Sequence, residues 1–210
     1  MNDYQTDEEK VEAIRDWWRE NGRAVVAGIV VGIAVVAGWK YWNDYRQSHA
    51  EEASDLYASF IVALDARNKD EVEGLIADLR DDYSSTPYPD LALLRLAGVE
   101  AVGGEFENAE TLLRGLVVGA RQAQLRQIAV LRLVRVLVAM GRLDEARTEL
   151  DQAALPDSWT TLAEELRGDI HRAKGEFGAA HTAYEKAIQA SASEPHSNLY
   201  LKRDAVGGNL

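Results

Sequence analysis

From Ala24 to Trp39 the chain reads AVVAGIVVGIAVVAGW, sixteen residues without a charge, and acids and bases return on both sides of it. A helix in a soluble core shows one apolar stripe and a polar remainder, so apolar residues all round point to a membrane instead. At about 1.5 Å per residue the run spans roughly 24 Å, short of a hydrocarbon core of about 30 Å. The flanks make up the difference. Trp17 and Trp18 precede the run, and Lys40, Tyr41 and Trp42 follow Trp39. Trp and Tyr settle at the membrane–water interface, and lysine can extend its ammonium to the headgroups. The pattern predicts one transmembrane anchor over 23–43. Val35 and Ala37 suit the small positions before a signal-peptide cleavage site. However, 23 residues carrying seven acids come first, where a signal has a short basic start.

Lysine and arginine near the ends set the orientation. Lys10, Arg15, Arg19 and Arg23 outweigh Lys40 and Arg46, which predicts a cytoplasmic N-terminus. Within the span, Gly28 and Gly32 form a GxxxG pair, the spacing that lets two helix backbones approach closely. Residues 1–22 read as a cytoplasmic amphipathic tail. Thr6 and Glu9 fit a capping box, Val11, Ile14, Trp17 and Trp18 share a face, and Asn21-Gly22 resembles a stop.

Beyond Trp42 no helix breaker occurs until about Asn68, so the membrane helix is expected to run on into the next domain, 44–210. That domain reads as helix throughout, without the alternation of a strand. Three segments repeat: GEFENAETLL from Gly104, GRLDEARTEL from Gly141 and GEFGAAHTAY from Gly175, spaced 37 and 34 residues apart. A period near 34 with this pattern of Gly, apolar residue and Ala is that of tetratricopeptide repeats. The glycines permit a tight turn. Phe106, Leu143 and Phe177 plug it, and Ala109, Ala146 and Ala180 are small where paired helices cross. The first helices of these pairs are expected at 89–102, 124–140 and 159–174, the last with Gly168 as its small residue. An earlier degenerate pair is expected at 51–67 and 70–83, and a capping helix after Glu194-Pro195. The fold class is therefore all-α, a single N-terminal transmembrane helix followed by a tetratricopeptide-like α-solenoid.

The 210 residues carry a net charge of −12 and no cysteine. Disulfides and thiol chemistry are excluded, and without a long basic run nucleic acid is not expected as a partner. No nucleophile elbow, zinc-protease motif or P-loop occurs. His49, His171, His181 and His196 lack ligand-like spacing, and His171 is assigned to packing. Glu164 and Glu165 read as a solvated face. No catalytic residue, metal, cofactor or small-molecule substrate is expected, and the chain is read as a non-enzyme. Stacked helix pairs offer a groove for peptides and proteins instead. Arg95, and Arg132 with Arg135 on one side of the next first helix, are the candidate partner residues.

Asn21-Gly22-Arg23, the apolar span and Gly38-Trp39-Lys40-Tyr41-Trp42-Asn43 resemble the YfgM family of bacterial inner-membrane proteins. So do Leu131-Arg132-Leu133-Val134-Arg135 and Leu166-Arg167-Gly168-Asp169. The extreme N-terminus and 84–88 diverge. The resemblance implies an ancillary subunit of the SecYEG translocon, single-pass in the inner membrane with a periplasmic repeat domain. It further implies contact with a PpiD-like periplasmic chaperone, handling of unfolded client proteins, and contact with the response regulator RcsB through the cytoplasmic tail. The alternative is a membrane-tethered scaffold for another cell-envelope complex.

Overall fold

The computed structural model describes residues 7–191 and 197–208. Among them are nine α-helices and no strand. Thr6 of the expected capping box and Glu194-Pro195 lie outside the described residues. Helix α1 is Asp7–Asp65 and α2 is Lys69–Asp82. Three hairpins follow. They pair α3 (Tyr88–Gly103) with α4 (Phe106–Gly119), α5 (Ala123–Ala139) with α6 (Leu143–Gln152), and α7 (Thr160–Ala173) with α8 (Phe177–Ala190). A 3₁₀ turn at Asp157–Trp159 leads into α7, and α9 (Ser197–Gly207) packs on α8. Packing divides the chain into two units, Met1–Glu52 and Ala53–Leu210.

In the first unit, α1 continues through Asn21 and Gly22, against the stop expected there. Asn21 keeps its side chain within the helix, Nδ2 donating to the Trp17 carbonyl at 3.1 Å. The Trp18 indole lies 3.2 Å from where a Gly22 Cβ would stand. A Gly inside a helix costs only about 1 kcal/mol. The apolar stretch beyond it must satisfy its backbone internally if it is to enter lipid, which favours unbroken helix. The unbroken course past Trp42, expected from the sequence, is also present.

In the second unit the repeat glycines do what their spacing predicts. Gly104, Gly141 and Gly175 have φ of +84°, +74° and +77°, the left-handed region open to glycine. Ala109, Ala146 and Ala180 are fully buried, and Phe106, Leu143 and Phe177 pack half-buried against the core. At Gly168 the backbone of α7 lies close against α8. A Cβ on Gly168 would stand 2.4 Å from Tyr184 Cε1, so the fully buried tyrosine lies directly on the α7 backbone. The central helix, α5, contacts α3, α4, α6 and α7, and Leu133, Val134 and Leu137 are fully buried on it. Residues 53–65 of α1, α2 and the first half of α3 share a second cluster around Phe60, Ile76, Leu79 and Ala92.

Ion pairs join successive pairs of helices. Arg114 on α4 contacts Glu110, Glu145 and Glu149, the last at 2.7 Å, and Arg142 contacts Glu110 and Glu145. Hydrogen bonds from Arg114 and Arg142 hold the Glu110 carboxyl below its usual range. Lys174 reaches Asp144 on α6 at 2.6 Å, and the Asp144 carboxyl is lowered by it.

Candidate interaction surface

The first unit exposes its apolar residues. Ile29, Val30, Val31, Ile33, Val35 and Val36 are each at least 55% exposed, and only 6% of the most apolar window of α1 is buried. A soluble core helix would bury such a face. Among the described residues this is the one helix long and apolar enough to cross a membrane. Trp17 and Trp18 lie exposed at one end of the run, and Trp39, Lys40, Tyr41 and Trp42 at the other. Trp18 and Trp39 stand 21 residues apart on continuous helix. That places the two tryptophans about 30 Å apart along the helix, comparable to the thickness of a hydrocarbon core. Gly28 and Gly32 lie one turn apart with nothing within 4 Å of their missing side chains, open to the backbone of another helix.

The second unit brings the three candidate arginines together. Arg132 on α5 crosses to α3, where Nη1 donates to the Leu94 carbonyl at 2.8 Å. It also passes 3.7 Å from the Cβ position of Gly98. Burial of its guanidinium, with the like charges of Arg135 and Arg95 added, pushes its pKa down. Arg95, Arg132 and Arg135 are all exposed overall, although part of the Arg132 guanidinium is covered, and so are Val99 and Val102, which share the Arg95 face of α3 at helical spacing.

A family model described as a tetratricopeptide repeat-like domain matches residues 15–208. The chain belongs to the tetratricopeptide repeat-like family. It is similar to a protein of Escherichia coli (strain K12) named "Ancillary SecYEG translocon subunit", 27% identical over 95% of each chain. A Haemophilus influenzae protein of the same name is 29% identical over 88% of this chain and 89% of its own. One from Neisseria gonorrhoeae is 21% identical over 97% of this chain and 93% of its own. No solved structure matches the chain. The resemblance to the YfgM family read from the sequence is borne out by these relatives.

The tetratricopeptide-like stack also has contacts that sequence reading missed. Glu164 and Glu165 are not a solvated face, because their side chains are only 14% and 16% exposed. Glu164 pairs with Arg167. Glu165 and Asp169 share the Lys202 ammonium of α9, each at 2.7 Å. The Tyr184 hydroxyl donates to Asp169 at 2.8 Å, and burial, reinforced by that bond, raises its pKa. Together with buried Leu199 and Val206, this network fastens α9 over α7 and α8 as an end cap. Spacings of 33 and 37 residues gave no sequence signal for it. His171, assigned to packing, is largely covered and places Nδ1 2.5 Å from Glu176 Oε2 just past the Gly175 turn, and this contact lowers the Glu176 carboxyl.

Proposed function

We propose that this chain is a non-enzymatic ancillary subunit of the Sec translocon in the bacterial inner membrane. Residues 1–22 form the cytoplasmic tail, 23–43 the anchor and 44–210 the periplasmic repeat domain. The observation that carries this reading is the extent of the match. Relatives named ancillary SecYEG translocon subunits align with both the span and the repeats, up to 95% of each chain. The aligned architecture suits the role. A single span fixes the protein beside a membrane channel, and the open face of Gly28 and Gly32 offers a contact for another transmembrane helix. The repeat domain then presents its groove where translocated chains emerge. Its partners are a PpiD-like periplasmic chaperone and unfolded clients, and the tail is the surface available to RcsB.

The test is affinity isolation of the tagged full chain from native membranes after mild crosslinking. SecY, SecE and SecG are expected together with the chaperone. Recovery of a different envelope complex in their place would overturn the reading and favour a membrane-tethered scaffold.

A further inference from the structure

We propose that the exposed face shared by α3 and α5 binds an acidic polypeptide segment, its side-chain carboxylates seated on Arg95, Arg132 and Arg135 and its apolar side chains on Val99 and Val102. The proposal rests on the reading of the repeat domain as partner-binding, and it names the chemistry of one partner.

Arg114, Arg142, Arg147 and Arg167 form ion pairs with carboxylates. Arg95, Arg132 and Arg135 form no ion pair among the described residues, although they lie near one another. Like charges gathered in a partly desolvated place repel, and an anion relieves that repulsion. Arg132 is also prearranged. The neutral Leu94 carbonyl takes one of its five donors and fixes the guanidinium, leaving the others for a ligand. Planar guanidinium groups match carboxylates in two-point geometry. Val99 and Val102, 40% and 92% exposed, continue the face from Arg95 at four- and seven-residue spacing. A ligand for this face therefore carries several carboxylates and some apolar groups, as an acidic chain segment does. A bilayer rich in anionic lipid carries the same charge, but the net −12 of this protein opposes approach to such a surface. A short segment responds mainly to the local cluster, because salt screens charges beyond about 8 Å.

The test uses the purified full chain in detergent and a short fluorescent peptide of alternating Glu and Leu, read by anisotropy. A matched peptide of Gln and Leu and vesicles of phosphatidylglycerol are the comparison probes. The Glu peptide should bind about tenfold or more tightly than the Gln peptide, and added salt should weaken it. Arg132→Gln with Arg135→Gln should lower its affinity about tenfold or more. Arg95→Gln and Arg135→Gln as single changes at exposed positions provide variants that fold normally, and each should weaken binding measurably. Equal affinity for the two peptides, or unchanged binding in the variants, overturns the proposal. Binding to vesicles and not to the peptide reassigns the face to lipid and overturns it as well. If the wild-type chain co-isolates with SecYEG but ignores the Glu peptide, this inference alone fails. If the peptide binds normally and SecYEG is not recovered, the parent reading fails while the groove chemistry stands.

Discussion

Replacing Gly168 by Ala tests the packing of Tyr184 on the α7 backbone. The new Cβ would lie 2.4, 2.5 and 2.9 Å from Cε1, Cδ1 and Cζ of Tyr184. Those atoms belong to a buried ring whose hydroxyl is tied to Asp169. Neither the ring nor the α7 backbone can yield freely. Overpacking of this kind costs about 1–3 kcal/mol. Displacing the hydroxyl from Asp169 adds about 1 kcal/mol. Alanine is better than glycine inside a helix by about 1 kcal/mol, which offsets part of the cost. The net loss should be about 1–3 kcal/mol, or a Tm lower by roughly 2–12 °C for a domain of this size. The assay is thermal unfolding of the full chain in detergent, followed by far-UV circular dichroism. Gly115→Ala is the matched control. It lies exposed on α4 with nothing within 4 Å of its Cβ position, so it should leave the Tm unchanged or raise it slightly. Adding Tyr184→Leu should remove much of the penalty of Gly168→Ala, because neighbouring substitutions do not add. A Gly168→Ala chain as stable as wild type would refute the packing argument.

Lys202→Met should loosen the cap by about 1–2 kcal/mol. It leaves Glu165 and Asp169 facing each other without their ammonium, at sites only partly open to water. Limited proteolysis should then release α9 sooner than in wild type, and unchanged cleavage would count against the cap. Acid should destabilise the stack in a defined window. Glu110, Glu145, Asp144 and Glu176 all have carboxyls lowered by basic partners. The unfolded chain therefore takes up protons first as pH falls. Their contribution is fully present above the ordinary Glu value of 4.5 and is lost progressively below it. Melts across this range should show a Tm steady at neutral pH and falling below about pH 4.5, and a Tm unaffected by acid would contradict the ion-pair ladder.

The repeat stack was legible because its signals are local and backbone-driven. A turn that needs positive φ selects Gly104, Gly141 and Gly175, and a close helix crossing selects Ala109, Ala146 and Ala180. The membrane span was legible because sixteen uncharged residues admit few other environments. The stop at Asn21-Gly22 failed because the same residues serve inside a helix when Asn21 bonds back to Trp17 and the following backbone has no better partner. Glu164 was misjudged although its partner Arg167 stands three residues on, whereas Glu165 was misjudged because its cation lies far along the chain. Lys202 arrives on α9, and nothing in the local pattern announces it. Arg95, Arg132 and Arg135 were chosen as candidates from their places on successive first helices and the three-residue spacing of the last two. That Arg132 would cross to the Leu94 carbonyl was not visible, since it depends on how α3 and α5 stack.

The association with the Sec channel is tested most directly by a photocrosslinking residue placed at Ala27 or Val31, beside the open Gly28–Gly32 face, in cells expressing the full chain. Irradiation should yield an adduct with SecY, SecE or SecG, and Gly28→Leu with Gly32→Leu should reduce it. Adducts only with copies of this chain, or with an unrelated envelope protein, would contradict the account.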